Sequence, residues 1–237
     1  MSHHPLRAGV LIIGSLLWDI NDPIRRQWQE QNLQIENKIP VTLPIRYGRF
    51  SDKRKTYTMV FSSNAFASPG TGYAVPFNQD ILTLDQVHTQ VRRLLEAENS
   101  PNEPRNSYDL SFCVAAFLTN PKHQRSPHPL ISELRQYWRN ALSQKFTPND
   151  YHVPGEAAMV SDNAELQIAW PDVLNAFDFL IATVTKPRPR DRDYPSPEEI
   201  AKHVTPNAND YFTNNRTAGI MTFQDTDIAA LKRTVAP

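Results

Sequence analysis

The chain has 237 residues, 40% of them hydrophobic, and its 25 Lys and Arg are matched by 25 Asp and Glu, so the formal net charge is zero. This size supports one sizeable core, and the zero balance argues against a protein dominated by attraction to nucleic acid or to an anionic membrane. A single cysteine excludes an intramolecular disulfide and a thiolate metal cluster.

Residues 1–7 carry no apolar core of signal-peptide type, and the apolar run over 8–18 is interrupted by Gly and Ser and too short to span a bilayer. A cytoplasmic protein with no membrane partner is expected. Residues 8–13 read as a buried strand. The chain then turns at its only Gly-Ser pair, Gly14-Ser15, and returns to apolar sequence at Leu16, Leu17 and Trp18. A strand that ends in Gly-Ser leaves backbone N–H groups where the sheet stops, and these can face an anion or a polarised carbonyl. The alternative is a plain structural corner.

Residues 23–33 read as a short helix, opened by Asn21-Asp22-Pro23, with Trp28 and Leu33 inward. Three strands follow, at 41–50, 56–61 and 71–77, rich in β-branched and aromatic residues. Thr83 can cap the next helix, in which Leu84, Val87, Val91, Leu94 and Leu95 share one face. Glu96 and Glu98 lie at its C-terminal end, where the helix dipole disfavours an anion. Residues 100–104 form a loop, and 110–118 a strongly apolar strand with Cys113 as a buried structural thiol.

After a polar loop over 120–129, residues 130–145 read as an amphipathic helix, with Leu130, Leu134, Tyr137, Trp138, Ala141 and Leu142 inward. Residues 146–165 are irregular. Strands are expected at 166–170 and 177–184, a stiff loop with alternating Arg and Asp at 186–195, and a helix from Ser196 to about 204. A last strand spans 219–223 and a last helix 226–233. The order predicts one α+β domain over 1–237, its sheet curling toward a barrel, with no linker that divides it.

Four runs in the first half resemble one family. Gly14-Ser15-Leu16-Leu17-Trp18 is similar to the loop of the γ-glutamylcyclotransferase superfamily, in the branch where it reads tyrosine-glycine-serine-leucine-isoleucine-tryptophan. Tyr47-Gly48-Arg49-Phe50-Ser51 resembles that branch's arginine-phenylalanine-serine strand. Gly70-Thr71-Gly72-Tyr73-Ala74-Val75 resembles the glycine-bearing strand before its central helix, and Leu95-Glu96-Ala97-Glu98 occupies the place of its catalytic glutamate. Order and spacing agree over about residues 8–120, and 121–237 would extend the same domain.

The resemblance implies a small, mostly antiparallel β-barrel with flanking helices. It implies an acyl-transfer or lyase-type enzyme that releases 5-oxoproline from a γ-glutamyl amine or peptide, with no metal or organic cofactor. Glu98 matches the acid/base, and Gly14, Ser15 and Leu16 match the substrate-binding loop. The family loop opens with Tyr where this chain has Ile13, so one hydroxyl is missing there.

The chemistry is self-consistent. The substrate's own amine must lose a proton and the leaving amine must gain one, and a single carboxylate can do both in sequence. Ring closure is intramolecular, so the main task is to fold the substrate into a closing pose. Glu96 competes for the role, but two residues along a helix turn it about 200° away from Glu98, so only one of them faces a given pocket. Arg46 or Arg49 can hold a substrate carboxylate, and Tyr211 can supply a hydroxyl from the C-terminal half.

Two alternatives stay open: a fold relative without catalysis that binds a small molecule or a protein, and a nucleic-acid binder. The latter would use the basic and aromatic residues interleaved over 46–57 and carries the least weight. His88, His123, His128, His152 and His203 lack ligand spacing, so no metal site is expected.

Overall fold

The computed structural model describes residues 4–98, 107–190, 193–204 and 210–235. The expected loop at 100–104 and part of the Arg/Asp loop, at 191–192, lie outside the described residues. The elements are β1 (Ala8–Ile12), α1 (Pro23–Asn32), β2 (Ile39–Leu43), β3 (Ile45–Ser51), β4 (Thr56–Phe61), β5 (Gly70–Pro76) and α2 (Leu84–Glu98). They continue as β6 (Cys113–Thr119), α3 (Lys122–Arg125), α4 (Pro129–Ala141), β7 (Phe179–Thr185), α5 (Pro197–Lys202), α6 (Tyr211–Thr217) and α7 (Asp225–Val235).

Five strands form one mixed, mostly antiparallel sheet in the order β2-β5-β1-β7-β6. Only β1 and β7 run parallel, with Val10 opposite Ile181. β1 is central and buried along its whole length, as its unbroken apolar run requires. β3 and β4 form a separate antiparallel hairpin.

The expected closure into a barrel does not occur among the described residues: the sheet is open, with β2 and β6 at its edges. The reason lies at Pro44. The single strand expected over 41–50 is divided there, because proline has no N–H for the ladder. The chain bends, the Pro44 carbonyl accepts the Ser62 N–H at 2.9 Å, and Ile45–Ser51 pairs with β4 instead of continuing beside β5.

The helices follow their local signals closely. Asp22 caps α1 by accepting the N–H groups of Ile24 and Arg25. Thr83 and Gln86 form a reciprocal capping box at the start of α2. Val87, Val91, Leu94 and Leu95 are buried from α2, as the spacing requires. Trp138 is buried from α4 and its Nε1 donates to the Ala115 carbonyl.

Other expectations need correction. Tyr137 is 37% exposed, not inward. The strand around Cys113 begins at that residue and not at 110, although the thiol is buried. Residues 166–170 form no strand; Leu166 makes an isolated pairing with Val160 and donates its N–H to the Phe117 carbonyl at 2.8 Å. Residues 219–223 likewise reduce to one pairing, in which Met221 and Thr71 exchange backbone hydrogen bonds. A lone bridge is all that short segments can make when neither neighbour continues the ladder. Two short helices, α3 inside the expected loop over 120–129 and α6, are not predicted by the sequence pattern. No helix among the described residues is long and apolar enough to cross a membrane.

Candidate active site

The site lies where the centre of the sheet stops. β1 runs out at Ile12, and the chain makes a 3₁₀ turn over Ser15–Leu17. Within it the Leu17 N–H donates to the Gly14 carbonyl at 3.1 Å, and the Asp19 N–H to the Ser15 carbonyl at 2.9 Å. Such a turn leaves the N–H groups of Ser15 and Leu16 with no acceptor inside the turn itself. Buried Gln29 of α1 holds the turn from behind by donating to the Leu16 carbonyl.

In front of the turn is a cavity of about 370 Å³. Gly14, Ser15, Leu16, Arg49, Glu98 and Tyr211 all line it. Glu96 does not, because two residues along α2 turn it about 200° away from Glu98. Glu98 enters as the last residue of α2, with its side chain 17% exposed. Its Oε1 accepts the Thr183 hydroxyl of β7 at 2.5 Å, and its Oε2 stands 3.9 Å from Arg25 Nη2.

Arg25, Asp19 and Thr183 carry no functional signal in the sequence, and Arg54 is marked there only as one of the basic residues of the 46–57 hairpin. Arg25 reaches across from α1. Its Nε donates to the Ala97 carbonyl at 2.9 Å, and its Nη1 donates to Ser15 Oγ at 3.0 Å and Asp19 Oδ2 at 2.8 Å. One guanidinium therefore ties the turn to the carbonyl end of α2, and its charge offsets the dipole that disfavours an anion there. No local pattern marks Arg25, since its partner Ala97 is 72 residues away.

Tyr211 is brought to the turn by α6. Asn215, one helical turn on, accepts Trp18 Nε1 at 2.7 Å, and the Trp18 and Tyr211 rings meet edge to face with centroids 6.0 Å apart. The Tyr211 hydroxyl accepts the Met59 N–H at 3.3 Å. Burial pushes its phenol above the ordinary value, so it remains a neutral O–H group. A Cβ at Gly14 would stand 2.5 Å from that hydroxyl, so glycine is what lets Tyr211 approach the turn. Tyr211 thus brings a hydroxyl to the turn from the far end of the chain.

This closeness is testable. Gly14→Ala is expected to destabilise the protein by about 2 kcal/mol, the usual scale of overpacking. In a Tyr211→Phe background the cost should fall below about 1 kcal/mol, because the next ring atom, Cζ, is 3.5 Å from the added Cβ. Urea unfolding of the four proteins measures the difference, and strictly additive losses would refute the contact.

Arg49 faces the cavity from β3. It donates to the Lys186 carbonyl at 3.0 Å and lies 5.4 Å from the Phe112 ring centroid. Burial, joined by the nearby Arg188 charge, lowers its pKa from the ordinary value, yet a guanidinium stays protonated at any working pH. Arg46 is turned elsewhere: its guanidinium stacks 4.2 Å above the Tyr194 ring, which removes it as a carboxylate ligand for this cavity. Five cationic side chains (Arg25, Arg49, Lys53, Arg54, Arg188) line the cavity against two carboxylates, Asp52 and Glu98. The space favours an anionic guest.

The hairpin is not built for bases. Tyr47, Phe50 and Tyr57 are buried in the core, so none offers an open ring face for stacking. Among the described residues, no group of three or more His, Cys, Asp or Glu side chains is gathered as metal ligands would be. Compared with family models, with curated proteins and with solved structures, the chain matches none.

Proposed function

We propose that the protein is a γ-glutamylcyclotransferase-like enzyme that releases 5-oxoproline from a γ-glutamyl amine or peptide, with Glu98 as the acid/base. The observation that carries this reading is that Glu98 and the Gly14–Ser15 turn line one small cavity. The fold assignment is part of the same proposal: the open mixed sheet would be a variant of the family's barrel.

In this mechanism the N–H groups of Ser15 and Leu16 and the Arg49 guanidinium hold the substrate's anionic groups. The cavity, at the small end of ligand sites, folds the glutamyl chain so that its α-amine approaches the γ-carbonyl carbon. Glu98 takes a proton from that amine as the ring C–N bond forms. It returns the proton to the departing nitrogen as the original amide C–N bond breaks, so no proton is gained or lost overall. Tyr211 supplies a neutral hydroxyl on the turn side, and Thr183 fixes the rotamer of the carboxylate.

The test is a panel of γ-glutamyl amines and γ-glutamyl peptides assayed for 5-oxoproline. Release from at least one is expected, and none from any would overturn the reading. Thr183→Val keeps the shape and removes the donor to Glu98. Its loss should lower kcat about tenfold, the value of one hydrogen bond to a charged acceptor, with KM little changed. An unchanged kcat would remove Thr183 from the mechanism.

The excess of cations in the lining favours a second reading, an anion-binding module without turnover. Calorimetric binding of a γ-glutamyl peptide that is recovered intact would select it.

A further inference from the structure

Two arginines meet one aspartate beside Glu98. Asp19 Oδ2 accepts from Arg25 Nη1 at 2.8 Å and from Arg54 Nη2 at 2.5 Å. Arg25 belongs to α1, and Arg54 lies at the tip of the β3–β4 hairpin. Both arginines border the cavity, whereas Asp19 lies outside its lining and, with the same two arginines, faces an adjoining cavity. Arg25 Nη2 is 3.9 Å from Glu98 Oε2, too far for a hydrogen bond. Arg25 is therefore held between two carboxylates and bonded to the one that does not face the cavity.

We propose that Asp19 is a positioning residue for Glu98: by engaging the Arg25 guanidinium, it keeps Arg25 from closing on Glu98 Oε2 and leaves that oxygen able to exchange a proton. The idea rests on the cyclisation reading. A base locked in a close ion pair is stabilised in its charged form and returns a proton poorly. Asp19 divides its charge between two cations, so Arg54 governs how much of it acts on Arg25.

This arrangement makes an unusual demand. Removing the Asp19 charge releases Arg25 toward Glu98. Removing the Arg54 charge takes a cation away and leaves Asp19 wholly to Arg25. The two changes act on Glu98 with opposite sign. The other charged and titratable groups stay in place in both variants: around the cavity Arg49, Asp52 and Lys53 of the hairpin, Arg188 beyond β7 and Tyr211 of α6, and on the Asp19 side Asp22, His203 and Asp210.

The experiment compares Asp19→Asn and Arg54→Gln with the full-length wild type by two readouts. One is the pH dependence of kcat/KM for 5-oxoproline release. The other is the carboxyl ¹³C titration of Glu98 in ¹³C-glutamate-labelled protein, with the signal assigned by its loss in Glu98→Gln. In Asp19→Asn the acid limb and the carboxyl midpoint should move about one pH unit lower, and in Arg54→Gln they should move higher. Displacement of both variants in the same direction, or of neither, would overturn the proposal, and so would a full Asp19→Asn displacement in an Arg25→Gln background, where no guanidinium remains to close on Glu98 and only the lost charge of Asp19 acts. The carboxyl titration needs no turnover. If the wild type releases no 5-oxoproline, the cyclisation reading fails, and the hold of Asp19 on Glu98 is judged separately on the titration.

Discussion

Glu98→Gln is expected to lower 5-oxoproline release by roughly 10²- to 10⁴-fold, the usual worth of a positioned acid/base. Glutamine keeps the size of the side chain and a carbonyl oxygen to accept the Thr183 hydroxyl. It cannot carry a proton from one nitrogen to the other. Because the anionic groups of the substrate are held elsewhere, at the turn and at Arg49, the loss should fall on kcat and leave KM nearly unchanged. The fold should tolerate the change to within about 1 kcal/mol, since the Arg25 contact is long and the group is partly solvated. Glu96→Gln is the control: Glu96 lies outside the cavity, and its variant should turn over at the wild-type rate. Steady-state rates for the three proteins decide the matter, and equal rates for wild type and Glu98→Gln would remove Glu98 from the chemistry.

The second large effect is expected at Arg25. Arg25→Ala strands the Ala97 carbonyl and Ser15 Oγ and leaves Asp19 Oδ2 to Arg54 alone, in a region where the arginine itself is only 12% exposed. Breaking a largely buried ion pair from one side costs about 3 kcal/mol or more. A fall in urea midpoint on that scale is expected. The same side chain joins the substrate-binding turn to the end of α2, so kcat/KM should drop at least about tenfold as the two drift apart. Arg25→Lys restores the charge and not the fork, since an ammonium on a flexible stem cannot meet three acceptors in these directions. It should recover part of the stability and little of the activity. Full recovery by lysine would show that charge alone matters there.

These expectations draw on two kinds of residue, and they differ in how far the sequence reveals them. Gly14, Ser15, Leu16, Arg49, Glu98 and Tyr211 were named from the linear chain, and the structure brings all six to one cavity. The helix that carries Glu98 was readable because its apolar face and its Thr83 cap are local, with partners three or four residues apart. The open sheet was also readable in principle. Pro44 stands inside the run over 41–50, and a proline there argues against one continuous strand.

Arg25, Asp19, Arg54 and Thr183 are a different case. None of them points to Glu98 in the sequence, because the contacts that bring them there are remote: 85 residues separate Thr183 from Glu98, 72 separate Arg25 from Ala97, and 35 separate Arg54 from Asp19. Local chemistry in the chain set where helices start and which faces are apolar. The need for glycine at residue 14 and the charges that surround Glu98 come from remote parts of the fold. The parallel pairing of β1 with β7 carries Thr183 beside the exit of β1, and the bend at Pro44 swings the hairpin tip over it. Local periodicity records which side of an element is buried, and it carries no information about which distant element comes to lie against it.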